Sequence, residues 1–150
     1  MRQWKLSTDD TGSASLEFIT AGVLLLLPIV YLVLVMSAVQ AGAFAVEGAS
    51  RQAARVFVQS PNTAAADAAA ERAIEFALAD YGLDTDDVVV SVSCAPNPAV
   101  CLTREGFVTI TVTTSVPLPL VPPILNVNEP LAIPLSATAT QQVSRFWSSR

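Results

Sequence analysis

The chain reads GSASLEF from position 12 to position 18, and a long apolar run follows at once. Residues 18–39 include no charged side chain, and the next charge along the chain is Glu47. As an α-helix this run would extend roughly 33 Å, enough to cross the roughly 30 Å hydrocarbon core of a bilayer. The sequence therefore predicts one membrane-spanning helix with a single carboxylate, that of Glu17, at its edge.

Length and composition limit what the rest of the chain can be. With 150 residues it has room for one small domain beside the apolar segment. The formal net charge of −5 argues against direct binding to nucleic acid. The chain has no histidine and only two cysteines, and we find no nucleophile–base set, phosphate loop or carboxylate cluster with metal-ligand spacing. We therefore expect no enzymatic activity, no cofactor and no metal site.

The junction before the apolar run resembles the class III signal sequences of type IV pilins and pseudopilins. Those signals have a short charged leader, a glycine, a cleavage point, and a glutamate at the fifth mature position; here these match Gly12, Ser13 and Glu17. The Glu17-Phe18 pair and the sequence after it are more specifically similar to the TadE-like pseudopilins of tight-adherence (Tad, or Flp) pilus systems. The resemblance covers about the first sixty residues and implies cleavage between Gly12 and Ser13.

This resemblance implies a set of partners and a location. Residues 1–12 would be a prepilin-type leader, and a prepilin peptidase would remove it. The mature chain would sit in the lipid bilayer of the bacterial cytoplasmic membrane, with its N-terminus inside. It would meet other pilins and pseudopilins, pilus platform membrane proteins and, through them, a secretion ATPase. The expected function is that of a minor pilin in the assembly or priming of a pilus, with adhesion, DNA uptake and secretion all open as uses.

Glu17 has a physical reason to matter that is separate from the resemblance. Cleavage would create an α-amine on Ser13, which lies four positions before Glu17 on the same helix face. The carboxylate could pair with that amine in its own chain or in a neighbour. In the pilin family the glutamate is thought to set register in this way, so Glu17 and Phe18 are predicted assembly residues. The simpler alternative is that Glu17 is only the last polar residue before a membrane anchor.

Two other interpretations stay open. Small residues at 41–45 resemble signal-peptidase sites, which would make the protein secreted, but the apolar run exceeds the usual signal core of about 7–15 residues. The chain could also be an uncleaved, single-pass, membrane-anchored binding module of the cell envelope. Basic residues do not fix orientation, because Arg2 and Lys5 are matched in number by Arg51 and Arg55 beyond the span.

The helical pattern continues beyond the apolar run, so residues 13–60 are predicted to form one membrane and stalk segment. Glu47, Arg51 and Arg55 recur every four residues and would form one charged stripe on this helix. The stripe is either a solvated face or a surface that packs against other pilus subunits. The Ser60-Pro61 pair should end the helix, because the residue before proline avoids the helical region.

Residues 61–150 are predicted to form an extracytoplasmic α+β domain. A second helix is expected over 63–81 and strands over 88–93, 107–116 and 131–140. The helix would pack on a small antiparallel sheet of about three strands. Pro134 argues that the last strand lies at an edge of that sheet.

Cys94 and Cys101 flank a turn-forming stretch between the first two predicted strands. We predict a disulfide that closes this loop, and such a bond requires an oxidising compartment. The pair is thus the main argument that the C-terminal part lies outside the cytoplasm. The proline-rich, apolar segment 117–130 that follows the second strand is either part of the core or a partner site.

Overall fold

A computed structural model describes residues 13–120 and 131–148, and this part of the chain has the predicted α+β architecture. The elements in chain order are α1 (Ser13–Gln59), α2 (Thr63–Ala79), β1 (Val89–Ala95), β2 (Phe107–Pro117) and β3 (Ala132–Gln142). The first helix is thus followed by a second helix and a three-stranded antiparallel sheet. The proline-rich segment predicted at 117–130 lies largely outside the described residues.

Helix α1 is unbroken over 47 residues, although Pro28 lies inside it. Proline has no N–H group, so one carbonyl of the preceding turn lacks its helical hydrogen bond. The described residues divide into two units, one before and one after the boundary between Met36 and Ser37. Helix α1 contributes residues 13–36 to the first unit and residues 37–59 to the second. The division therefore falls inside the segment that sequence patterns assign to the membrane and stalk.

Local signals fix the end of α1 and the start of α2. Helix α1 stops at Gln59, directly before Ser60-Pro61, as predicted. The side chain of Asn62 accepts a hydrogen bond from the backbone N–H of Ala65 at 2.9 Å, and this N-cap starts α2. At the other end α2 stops at Ala79, whereas the sequence suggested Tyr81.

The sheet has the strand order β1-β2-β3, with both pairs antiparallel. Along β2, Val108, Ile110 and Val112 are buried and alternate with threonines, so the predicted half-buried strand is confirmed. The threonines form hydrogen bonds to hydroxyls of β3 on the other face; these bonds join Thr109 to Thr140, Thr111 to Thr138 and Thr113 to Ser136. The strand β3 is at an edge, as Pro134 predicted.

The core of the second unit combines the end of α1, the helix α2 and one face of the sheet. Its fully buried large side chains include Phe57, Leu78 and Ile110. Small side chains dominate the helical contribution; these are Ala45, Ala49, Ala53 and Ala54 from α1 and Ala66 and Ala70 from α2. Alanine-lined faces allow helices to lie close to their neighbours, which is how a domain of this size reaches dense packing.

Trp147 joins the C-terminal segment to the end of α1. Its indole Nε1 donates a hydrogen bond to the carbonyl oxygen of Ser60 at 2.9 Å, and its ring packs against the core. This carbonyl lies just beyond the last turn of α1, where helical carbonyls lack partners within the helix. The half-buried indole of Trp147 is thus held against the core of the second unit.

Gly42 lies at a close approach of α1 to the sheet. A Cβ atom at this position would overlap the side chain of Val116 and lie 2.9 Å from Cδ1 of Leu135. Val116 belongs to β2 and Leu135 to β3, and both lie on the core face of the sheet. The absence of a side chain at Gly42 thus lets this part of α1 pack against the sheet.

We expect the substitution Gly42→Ala to lower the free energy of unfolding of the second unit by about 1–3 kcal/mol, the usual cost of overpacking. The matched control is Gly48→Ala on the same helix, where an added Cβ meets nothing within 4 Å. At position 48, alanine should raise the free energy of unfolding by about 0.5–1 kcal/mol, because its helix propensity is higher than that of glycine. Urea unfolding of the full chain in detergent micelles, followed by pulse proteolysis, measures both. Equal effects of the two substitutions would contradict the close packing at Gly42.

Candidate functional site

The part of α1 that belongs to the first unit exposes apolar side chains on all sides of the helix. The most apolar 18-residue window of the helix has a mean hydropathy of 2.7, and none of it is buried within the protein. Among the described residues this is the one helix long and apolar enough to cross a membrane. A folded protein in water rarely leaves so large an apolar surface uncovered. Length and composition therefore suit a membrane anchor.

Glu17 and Phe18 lie near the start of this apolar helix. Ser13 is the first residue of α1, so Glu17 follows one helical turn later, as the i,i+4 argument requires. Both Glu17 and Phe18 are exposed, and Phe18 has 81% of its side-chain surface accessible. No basic group of the described residues forms an ion pair with Glu17. Gly12, the other half of the predicted processing site, lies outside the described residues.

The charged stripe of the stalk is partly joined by an ion pair. The guanidinium of Arg51 contacts the carboxylate of Glu47 one turn before it, in the favourable orientation for such a pair. Arg55 is exposed, and no acidic group within the described ranges lies at ion-pair distance from it. The neighbouring strip of Val46, Ala49, Ala53 and Phe57 is buried. The stripe is thus the outer face of a helix whose other face packs into the core.

The predicted disulfide between Cys94 and Cys101 is present. Cys94 is buried near the end of β1, and Cys101 lies half-buried at the end of the turn that follows. The bond closes a short loop in the first half of the β1–β2 connection. In the part of the chain that the structure describes, no three His, Cys, Asp or Glu side chains cluster as a metal ion would require.

A groove between α2 and β1 was missed at the sequence level. It has a volume of about 510 Å³. Its lining comprises Asp67, Ala70, Glu71, Ile74 and Glu75 from α2, Thr85 and Val88 from the connection, and Val90 and Val92 from β1. Asp67, Glu71 and Glu75 of α2 are exposed to solvent and also form one wall of this groove. A helical period cannot indicate such a wall, because the second wall comes from a strand 15 or more residues further on.

Comparisons with protein-family models, with curated proteins and with solved structures found no match to this chain.

The disulfide should contribute to the stability of the second unit. A covalent loop of this length restricts the unfolded chain, and we expect reduction to lower the free energy of unfolding by about 2–3 kcal/mol. Urea unfolding of the full chain in micelles, with and without dithiothreitol, measures the difference. The double substitution Cys94→Ala with Cys101→Ala is the control, since its stability should not respond to the reductant. If the wild-type chain were equally insensitive, the disulfide would have no stabilising role.

Proposed function

We propose that this chain is a TadE-like pseudopilin, or minor pilin, which takes part in the assembly or priming of a Tad/type IVb-like pilus after cleavage between Gly12 and Ser13. The observation that carries the proposal is the helix α1. Within the described residues it holds Ser13 and Glu17 one turn apart, places exposed apolar side chains next to Glu17, and contributes its last part to the core of a folded unit.

The apolar surface of residues 18–36 gives the assembly a physical basis. In a membrane this surface contacts lipid, and in a helical assembly it would contact the same segment of other subunits. Exchange of lipid for helix contacts provides little specificity by itself, because lipid tails are as apolar as leucine. A carboxylate inside an apolar assembly is costly unless it is paired. Pairing of Glu17 with the α-amine of a neighbouring Ser13 would therefore select one register.

The disulfide supports the proposed orientation across the membrane. Disulfides persist in oxidising compartments and are rare in the cytosol. The second unit would accordingly lie outside the bacterial cytoplasmic membrane, and the N-terminus inside. In this orientation the leader faces the cytoplasm, and the proposed partners are prepilin peptidase, other pilins and the platform proteins that connect to a secretion ATPase. The role is structural, and the proposal includes no reaction or cofactor.

One observation favours the alternative of an uncleaved, membrane-anchored binding module. The groove between α2 and β1 is open and partly apolar, as a ligand or peptide site would be. That function requires the anchor to hold the domain at the membrane but gives no role to the charge of Glu17. The pilin-like function thus requires the negative charge of Glu17, whereas the anchored binding module does not.

The substitution Glu17→Gln separates the two functions. Loss of the charge should leave membrane insertion intact, because a neutral residue enters the bilayer at lower cost. Incorporation into sheared pili, or co-purification with other pilins, should fall at least about tenfold, which corresponds to the loss of about 1.4 kcal/mol of register-setting interaction. Immunoblots of membrane and fibre fractions measure both quantities.

The matched control for this experiment is Glu47→Gln, which removes a carboxylate from the same helix within the second unit. Its effect on assembly should be less than about twofold, because an exposed pair with Arg51 contributes little. Normal assembly of the Glu17→Gln variant would overturn the pilin-like role and leave the anchored binding module as the better account.

A further inference from the structure

The strand β1 has an unpaired edge. It pairs with β2 on one side, and no strand of the described residues pairs with it on the other. Its sequence, VVSVSCA, contains no proline and no charged residue. The opposite edge of the sheet, β3, is interrupted by Pro134. Proteins usually protect exposed edges with charges, prolines or bulges, because unpaired N–H and C=O groups recruit additional strands. The edge of β1 lacks the first two of these protections.

The core face of β1 is incompletely covered. Val90 and Val92 are opposite Val112 and Ile110 of β2, so they point to the side of the sheet that forms the core. Nevertheless Val90 is 40% exposed and Val92 is 41% exposed, whereas their two partners on β2 are fully buried. The groove beside these valines continues to Ala70 and Ile74 of α2. A further strand at this edge would place alternate side chains in the groove.

The far wall of the groove is acidic. Asp67, Glu71 and Glu75 follow one another every four residues along α2 and line the groove together. No basic side chain within the described ranges forms an ion pair with any of them. An occupant that brings lysine or arginine to this wall would gain charge complementarity. A second copy of this chain pairing through β1 would instead bring another set of the same carboxylates, which disfavours self-association there.

We propose that the edge of β1 binds an extended, basic segment of another protein, which adds to the sheet as a fourth strand. Alternate apolar side chains of the segment would fill the groove beside Val90 and Val92. The intervening side chains would lie beside Ser91 and Ser93 on the hydroxyl-rich face of the sheet, where serine and threonine fit. Lysine or arginine residues would pair with the carboxylates of α2. Main-chain hydrogen bonds provide affinity in this binding mode, and the side-chain pockets provide specificity. The inference does not rest on the proposed function.

The first test uses synthetic peptides and the full chain in detergent micelles. The probe is a fluorescein-labelled nonapeptide with valine at positions 3, 5 and 7, threonine at the even positions and lysine at positions 1 and 9. In an extended strand the lysines and valines then lie on the same face and can point into the groove together. Fluorescence anisotropy should show saturable binding, at least about tenfold tighter than that of the same peptide with glutamate at each end. Absence of binding, or equal binding of the two peptides, would overturn the proposal.

Backbone methylation tests whether the peptide adds as a strand. In an added strand only alternate N–H groups point toward β1. Two N-methylated peptides, one modified at odd and one at even positions, should therefore differ at least about tenfold in affinity. Equal affinities of the two methylated peptides would exclude strand addition.

Substitutions on α2 test the acidic wall. The double variant Glu71→Gln with Glu75→Gln should bind the lysine peptide about three- to tenfold more weakly, the range expected for two exposed ion pairs. Asp80→Asn removes a carboxylate from the end of the same helix, outside the groove, and should change affinity less than about twofold. If both variants weakened binding equally, the groove would not be the site. Concentration-dependent dimerisation that competes with the peptide would overturn the proposal in favour of a second copy.

Discussion

The packing of the end of α1 against the sheet is the constraint on which the second unit depends. Gly42 allows close contact with Val116 and Leu135, and buried alanines continue the same narrow face toward Phe57. The helix that carries this face is the same helix whose earlier residues have the composition of a membrane span. A bulky residue on it would separate helix from sheet, and the core that β2 shares with α2 would lose one of its sides.

The same helix carries two surfaces with different requirements. Residues 18–36 have no charged side chain and are largely exposed, so they need lipid or other helices around them. Residues 45–57 instead bury one face within their own chain and leave the ion pair of Glu47 and Arg51 outside. The proposed pilin-like function uses this contrast, since the first surface could leave lipid for an assembly while the second unit keeps its fold. Glu17 would then contribute register rather than affinity.

Sequence patterns predicted the elements well where the signal is local. The alternation of valine and threonine along β2, the Ser60-Pro61 helix stop and the spacing of Cys94 and Cys101 each depend on neighbours in the chain. The features that sequence reasoning missed depend on distant contacts. The hydrogen bond from Trp147 to Ser60 joins residues 87 positions apart, and the groove pairs an acidic helix face with a strand edge. The predicted roles of Gly12, Ser13, Glu17 and Phe18 stay predictions, because they concern processing and assembly with other molecules.

The most direct test of the pilin-like account is the N-terminus of the mature protein. The chain would be purified from native membranes without an N-terminal tag, and its start would be identified by intact mass and N-terminal peptide mapping. The account predicts a mature chain that begins at Ser13, with the free α-amine that Glu17 requires. A chain that still begins at Met1 would contradict cleavage and leave Glu17 without that amine, whereas a start at Phe44 or Val46 would indicate a secreted protein.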